Sequence, residues 1–432
     1  MDRQIAFFRN FLVFLALTGS LFARVQAVDP DTDSESEGTL FIVGGALRGS
    51  NAEVMNRFIE LATVRGERRI LIVPAASGSP ARVARRFSED LVRYGARPGE
   101  IEILPLAVRN DRSTEFDEST WAGNAQVAAY AEQAASATGF WFLGGDQTRI
   151  TELLLTGEGE DTPVLAAIRS AVAAGAVLGG TSAGAAMQSD PMIAGGVSLA
   201  ALLGETSALF RDMNDQETGP LIIRPGLGFF PFGMIDQHFD RKARLGRLIV
   251  AAHGCPEGRG LGFGVDEDTA FEVDLRRARG RVWGPGNVTV VDLREASVKG
   301  EGDARRWENI RLHLLASGDA VDLRDLSVEV GQGRTPTRDQ EYFHVPDPAA
   351  QGPLTPNPFL SQLLGFDLLD NSAVSEVETH IWHADGRGFQ FVFSRGPETQ
   401  GFWGTNDGTM DRYSGKNILL RIEPVRMEIQ PR

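Results

Sequence analysis

Ala176-Val177-Leu178-Gly179-Gly180-Thr181-Ser182-Ala183-Gly184-Ala185-Ala186-Met187 is an apolar run that stops at a glycine pair and resumes with small residues suited to a helix. It reads as a strand that turns sharply into a helix with Ser182 on the turn. In Gly180-Thr181-Ser182-Ala183-Gly184 a glycine stands two residues to either side of the serine, so neighbouring backbone can approach closely and a strained turn can form. The hydroxyl then projects beside the positive end of a helix dipole, where an oxyanion can be held. The five residues alone fit a tight turn without chemistry equally well, and a partner base has to decide.

Outward from this point the chain alternates short apolar runs with helical patterns. Strands are expected at 39–43, 69–73, 101–105 and 139–143, with helices over 51–63, 80–94, 123–136, 147–155 and 163–174. Ile70-Leu71-Ile72-Val73 and Phe140-Trp141-Phe142-Leu143 are apolar throughout, as parallel strands are when helices cover both sheet faces. The fold class is therefore α/β, a three-layer αβα arrangement around a mostly parallel sheet. Small-residue turns close the strands at their carboxyl edge, where such folds bind ligands. Gly44-Gly45 and Gly144-Gly145 resemble phosphate-cradling turns, but neither belongs to a Gly-x-Gly-x-x-Gly or P-loop pattern. An acyl-transfer site needs two backbone N–H donors, and Ala183 and Gly145 are the expected pair.

Of the six histidines, His238 and His253 fall within the α/β region. His253 precedes Gly254 at a helix end, a capping position. His238 follows Asp236 and Gln237 at the end of a strand, and a basic helix carrying Arg241, Lys242, Arg244 and Arg247 is expected directly after it. Arg241, Arg244 and Arg247 would then form a row suited to carboxylates, unless the helix simply presents a solvated basic face. An acid should orient the imidazole. Glu267, in Gly264-Val265-Asp266-Glu267-Asp268-Thr269-Ala270, is the first choice, with Asp190 and Glu205 as competitors. The order serine, histidine, acid departs from the serine, acid, histidine order of α/β-hydrolases.

The 432 residues carry a net charge of −15, which argues against nucleic acid as a partner. Residues 1–27 read as a secretory signal peptide, with Arg3 and Arg9 before the apolar run 11–17 and Val25-Gln26-Ala27 at the cleavage site. That run is shorter than the ~20 residues a membrane span needs. The mature chain is therefore expected outside the cytoplasm, secreted or periplasmic, and free of the membrane. An acidic linker follows at 28–38, a catalytic domain at 39–295 and a small β-rich C-terminal extension at 296–432, with a Pro-, Asp- and Thr-rich loop over 331–358. Cys255 is the only cysteine, which excludes an internal disulfide. His380 and His383 would face opposite sides of a strand with no further ligands near, so no metal is expected.

Four motifs in order resemble those of the cyanophycinases: Gly-Gly-Asp-Gln-Thr-Arg-Ile at 144–150, Gly-Thr-Ser-Ala-Gly-Ala at 180–185, Ile-Asp-Gln-His-Phe at 235–239, and Gly-Val-Asp-Glu-Asp-Thr-Ala at 264–270. With the signal sequence, the chain is similar to the extracellular type. The resemblance covers residues 39–295. It implies a serine peptidase related to aspartyl dipeptidase, with a fold similar to class I glutamine amidotransferases and a homodimeric assembly. It also implies Ser182 as nucleophile, His238 as base, Glu267 as third member, and a substrate pocket of Gln147, Asp236, Gln237, Arg244 and Arg247. The family places an arginine four residues after the histidine where this chain has Lys242; either Lys242 keeps a point-charge contact or Arg241 takes it over. The implied substrate is cyanophycin, a poly-aspartate with arginine on each β-carboxyl group, cleaved to β-aspartyl-arginine dipeptides without metal or organic cofactor. An exported aspartyl or isoaspartyl dipeptidase and a non-catalytic granule-binding protein are the alternatives.

Overall fold

In the computed structural model, which describes residues 38–255, 260–346, 359–406 and 410–428, the continuous apolar runs become parallel strands. They are β1 (Thr39–Val43), β2 (Ile70–Val73), β3 (Ile101–Ile103), β4 (Gly139–Phe142) and β5 (Val177–Thr181). They pair side by side in the order β1-β5-β4-β2-β3. Between them run α1 (Ala52–Leu61), α2 (Pro80–Arg93), α3 (Ala128–Ala135), α4 (Gln147–Leu154) and α5 (Pro163–Ala173). The helix expected over 123–136 is instead a 3-10 segment, Glu118–Gln126, followed by α3.

Alternate strand residues explain the layering. Phe41, Ile70, Ile72, Trp141 and Val177 share one core with Phe58 of α1 and Phe87 of α2. Leu40, Leu71, Val73, Phe140 and Leu178 share another with Ile150 of α4 and Ile168 of α5. Both sheet faces are thus covered by helices, which is why the central strands β2 and β4 carry no polar side chain. Trp141 anchors the first core, with its ring 4.6 Å from Phe58 and 4.5 Å from Phe87.

After β5 and the short α6 (Ala183–Ala186), the chain opens a second sheet with β6 (Met234–Asp236). Then come α7 (Leu245–Gly254) and β7 (Leu261–Val265), parallel to β6. β8 (Ala270–Asp274) and β9 (Arg279–Trp283) return to the first sheet, β8 lying antiparallel to β1. The second sheet resumes with β10 (Asn287–Asp292) and β11 (Arg306–Ala316), then the long strands β12 (Arg387–Asn406) and β13 (Met410–Arg426). Its order is β6-β7-β10-β11-β13-β12, so one sheet runs through residue 295.

The expected signal peptide, the expected linker except Gly38, and residues 347–358 of the expected loop lie outside the described residues. Among the described residues no helix is long and apolar enough to cross a membrane.

Candidate active site

β5 ends at Thr181, and Ser182 then adopts φ 55° and ψ −107°. Such a conformation costs a non-glycine residue about 1–3 kcal/mol. Neighbouring backbone holds it in place: the Ser182 N–H donates to the Val43 carbonyl at 3.0 Å, and the Ser182 carbonyl accepts from Ala185 and Ala186 at 2.9 and 3.0 Å. The flanking glycines answer to close contact. A Cβ on Gly180 would lie 2.3 Å from the Gly184 oxygen, and one on Gly184 would lie 2.3 Å from the Phe142 oxygen.

His238 stands two residues beyond β6 with φ 47°, and its N–H donates to the Gly44 carbonyl at 2.6 Å. Its Nε2 is 2.9 Å from Ser182 Oγ, and its Nδ1 is 2.6 Å from Glu267 Oε1. The carboxylate assigns the ring proton to Nδ1 and leaves Nε2 to accept from the serine hydroxyl. Burial lowers the His238 pKa below its ordinary value; the Glu267 hydrogen bond opposes this, and the Lys242 and Arg244 charges reinforce it. The ring is therefore neutral at neutral pH, the state a base requires.

Ala183 and Gly145 have no acceptor for their N–H groups among the described residues. The Gly144-Gly145 turn passes beside the serine, and a Cβ on Gly144 would sit 3.3 Å from Ser182 Cβ. Of the competing acids, Asp190 accepts the Gly226 N–H at 2.8 Å and Glu205 is exposed. His253 packs edge-on against Trp307, away from the serine.

Of the remaining expected site residues, Gln147, Asp236, Gln237, Arg244 and Arg247 sit in a buried polar network, whereas Lys242 is exposed. Gln237 reaches the serine, with Oε1 3.5 Å from Ser182 Oγ. Asp236 and Arg247 form a two-pronged pair at 2.7 and 2.5 Å, and Arg247 also donates to the Gly196 carbonyl at 2.6 Å. Arg244 donates to the Gln237 carbonyl at 2.6 Å. The Gln147 amide donates to the Ala194 carbonyl at 2.7 Å and accepts from Gln216 at 2.7 Å. Lys242 pairs with Glu217 at 2.5 Å, and Arg241 is exposed. No regular row of arginines forms, because His238 and Ala243 take positive φ and helix α7 begins only at Leu245.

Two further residues, Gly45 and Glu217, shape this site. A Cβ on Gly45 would fall 2.3 Å from the His238 ring, so the Gly44-Gly45 turn makes room for the imidazole. Its signal was the glycine pair at the end of β1, which the reading set against phosphate binding. Glu217, the partner of Lys242, sits in a segment without a motif.

No protein-family model matches the chain. A cyanophycinase of Trichormus variabilis is 34% identical over 312 residues, covering 71% of this chain and 92% of its own length. The chain belongs to the cyanophycinase family. It is accordingly a hydrolase of the peptidase class. A Synechococcus elongatus cyanophycinase is also 34% identical, over 68% of this chain and 82% of its own. Among solved structures, a peptidase from an acI-B1 actinobacterium is 20% identical with a TM-score of 0.44, covering 67% of this chain and 98% of its own.

Proposed function

We propose that this cyanophycinase family member is an exported serine-type exopeptidase that degrades cyanophycin to β-aspartyl-arginine dipeptides. The observation that carries the reading is the unbroken relay from Ser182 Oγ through the His238 ring to Glu267, at 2.9 and 2.6 Å. Neutral His238 takes the serine proton as Oγ attacks the backbone carbonyl, and Glu267 steadies the imidazolium that results. The developing oxyanion is met by the N–H groups of Ala183 and Gly145. His238 then returns the proton to the leaving amine. Water, activated by the same ring, hydrolyses the acyl-enzyme.

The substrate assignment rests on the family, whose compared members are named for cyanophycin cleavage. Export rests on the signal-peptide pattern of residues 1–27. Incubation of purified mature protein with insoluble cyanophycin, followed by mass analysis of the soluble fraction, tests the reading. β-Aspartyl-arginine is expected from the parent and not from Ser182→Ala. Equal release by both would overturn it, and release only from soluble β-aspartyl dipeptides would indicate a dipeptidase.

A further inference from the structure

Asp240 lies two residues after His238, and Asp266 lies one residue before Glu267. The Asp240 N–H donates to Asp266 Oδ1 at 3.1 Å, while Asp266 Oδ2 accepts from Asn287 of β10 at 2.8 Å. The loops carrying the base and the acid are thus tied directly to each other. The Asp240 side chain points a second way, toward the C-terminal part of the chain. Its Oδ1 accepts the Leu360 N–H at 2.7 Å, and its Oδ2 accepts from the Ser361 N–H at 3.3 Å and the Ser361 hydroxyl at 3.1 Å.

Those N–H groups open the helical segment Leu360–Leu369. Phe359 occupies its cap position and has no acceptor on its side chain, so the cap comes from the catalytic loop. Burial pushes the carboxyls of both Asp240 and Asp266 up. A carboxylate in such a place is costly unless its hydrogen bonds are made, and an asparagine or serine at 359 would cap the helix without that cost. Phe239, which links His238 to Asp240 in the chain, joins the same core as Leu363, Leu364 and Leu368, and its ring lies where a side chain on Gly264 would fall.

We propose that Asp240 is a positioning residue: through it, the C-terminal segment 360–369 sets the orientation of His238 toward Ser182. This rests on Ser182 and His238 being the reacting pair. The C-terminal region then forms part of the working site rather than a granule anchor alone.

The test is the rate at which a serine-directed phosphonate labels Ser182, which reads activation by His238 without reference to the natural substrate. Asp240→Ala is expected to lower the maximal labelling rate about tenfold, because small displacements of a reacting pair are costly. The reagent concentration at half-maximal rate should stay within about twofold of the parent, since only the reacting pair has moved. The downfield proton resonance of His238 Nδ1–H should shift in the same variant. Asp240→Asn, which keeps one acceptor and the side-chain shape, should recover part of the rate and answers the question if the alanine variant does not fold. Parental rate and resonance in folded Asp240→Ala, or in Asp240→Asn where the alanine variant does not fold, would overturn the proposal, as would a loss matched by the unfolded fraction. A parent chain that takes no label at Ser182 would instead overturn the assignment of the reacting pair.

Discussion

A methyl group on Gly45 would meet the His238 ring at 2.3 Å, on a backbone whose φ of +111° already disfavours a side chain. Gly45→Ala must therefore turn the imidazole away from Ser182. We expect kcat/KM to fall about a hundredfold or more, the usual scale for a misplaced base, while the circular dichroism spectrum stays native. Parental activity in this variant would remove Gly45 from the site. The same ring sets the pH dependence. Because its pKa is lowered, chiefly by burial, the base is more than half unprotonated at its ordinary value of 6.5. The midpoint of the acidic limb of activity should therefore lie below pH 6.5. Glu267 acts to raise that pKa, so Glu267→Gln should lower kcat and move the acidic limb to still lower pH. A limb that moved upward would contradict this arrangement. At this scale the legible signal was position: Ser182, His238 and Glu267 each follow the end of a recognisable strand, and the structure brings them within hydrogen-bond reach. Gly45 was illegible for a physical reason, since its role depends on a ring delivered from 193 residues further along the chain.

At the scale of elements, β6 and α7 are joined by the Asp236–Arg247 pair, whose side chains are 1% and 2% exposed. Removing one partner strands a buried charge. Arg247→Met is expected to destabilise the protein by about 3–5 kcal/mol, measured by urea unfolding. Adding Asp236→Leu should restore part of that loss, because the stranded carboxylate is gone, while the Gly196 and Gln216 carbonyls and the Gln237 N–H lose their partners and Arg244 loses a nearby carboxylate. If the double variant were no more stable than Arg247→Met, the pair would not be the source of the loss. The sequence marked both residues as polar and close to the histidine, but could not show that they satisfy each other. That depends on where α7 begins. The positive φ of His238 and Ala243 delays its start to Leu245 and breaks the spacing on which the arginine row was drawn. The parallel strands were read more closely because burial on both faces leaves an unbroken apolar run. β12 and β13 leave only short strand-like runs, Phe389–Phe393 and Ile418–Ile422, since Arg395, Gly396 and Pro397 interrupt one and Arg412 and Lys416 precede the other.

At the scale of the whole molecule, the question is whether residues 296–432 can be separated from the rest. They supply β11, β12 and β13 to the sheet that begins with β6 and β7, the strands preceding His238 and Glu267. β11 pairs with all six residues of β10, from Asn287 to Asp292. Trp307, Leu312 and Leu314 of β11 share a core with Leu248 of α7 and with Phe239, the neighbour of His238. Ending the chain after residue 295 would expose the Val288-Thr289-Val290-Val291 edge of β10 and the apolar side of α7. An unpaired apolar edge of this kind is a template for aggregation. The truncated protein is therefore expected in the insoluble fraction, and any refolded material should fail to label at Ser182, since the support for the His238 loop is gone. Size-exclusion chromatography and phosphonate labelling of the 39–295 fragment would decide the matter. A monodisperse, fully labelled fragment would make residue 295 a true domain boundary, with residues 296–432 a separable module.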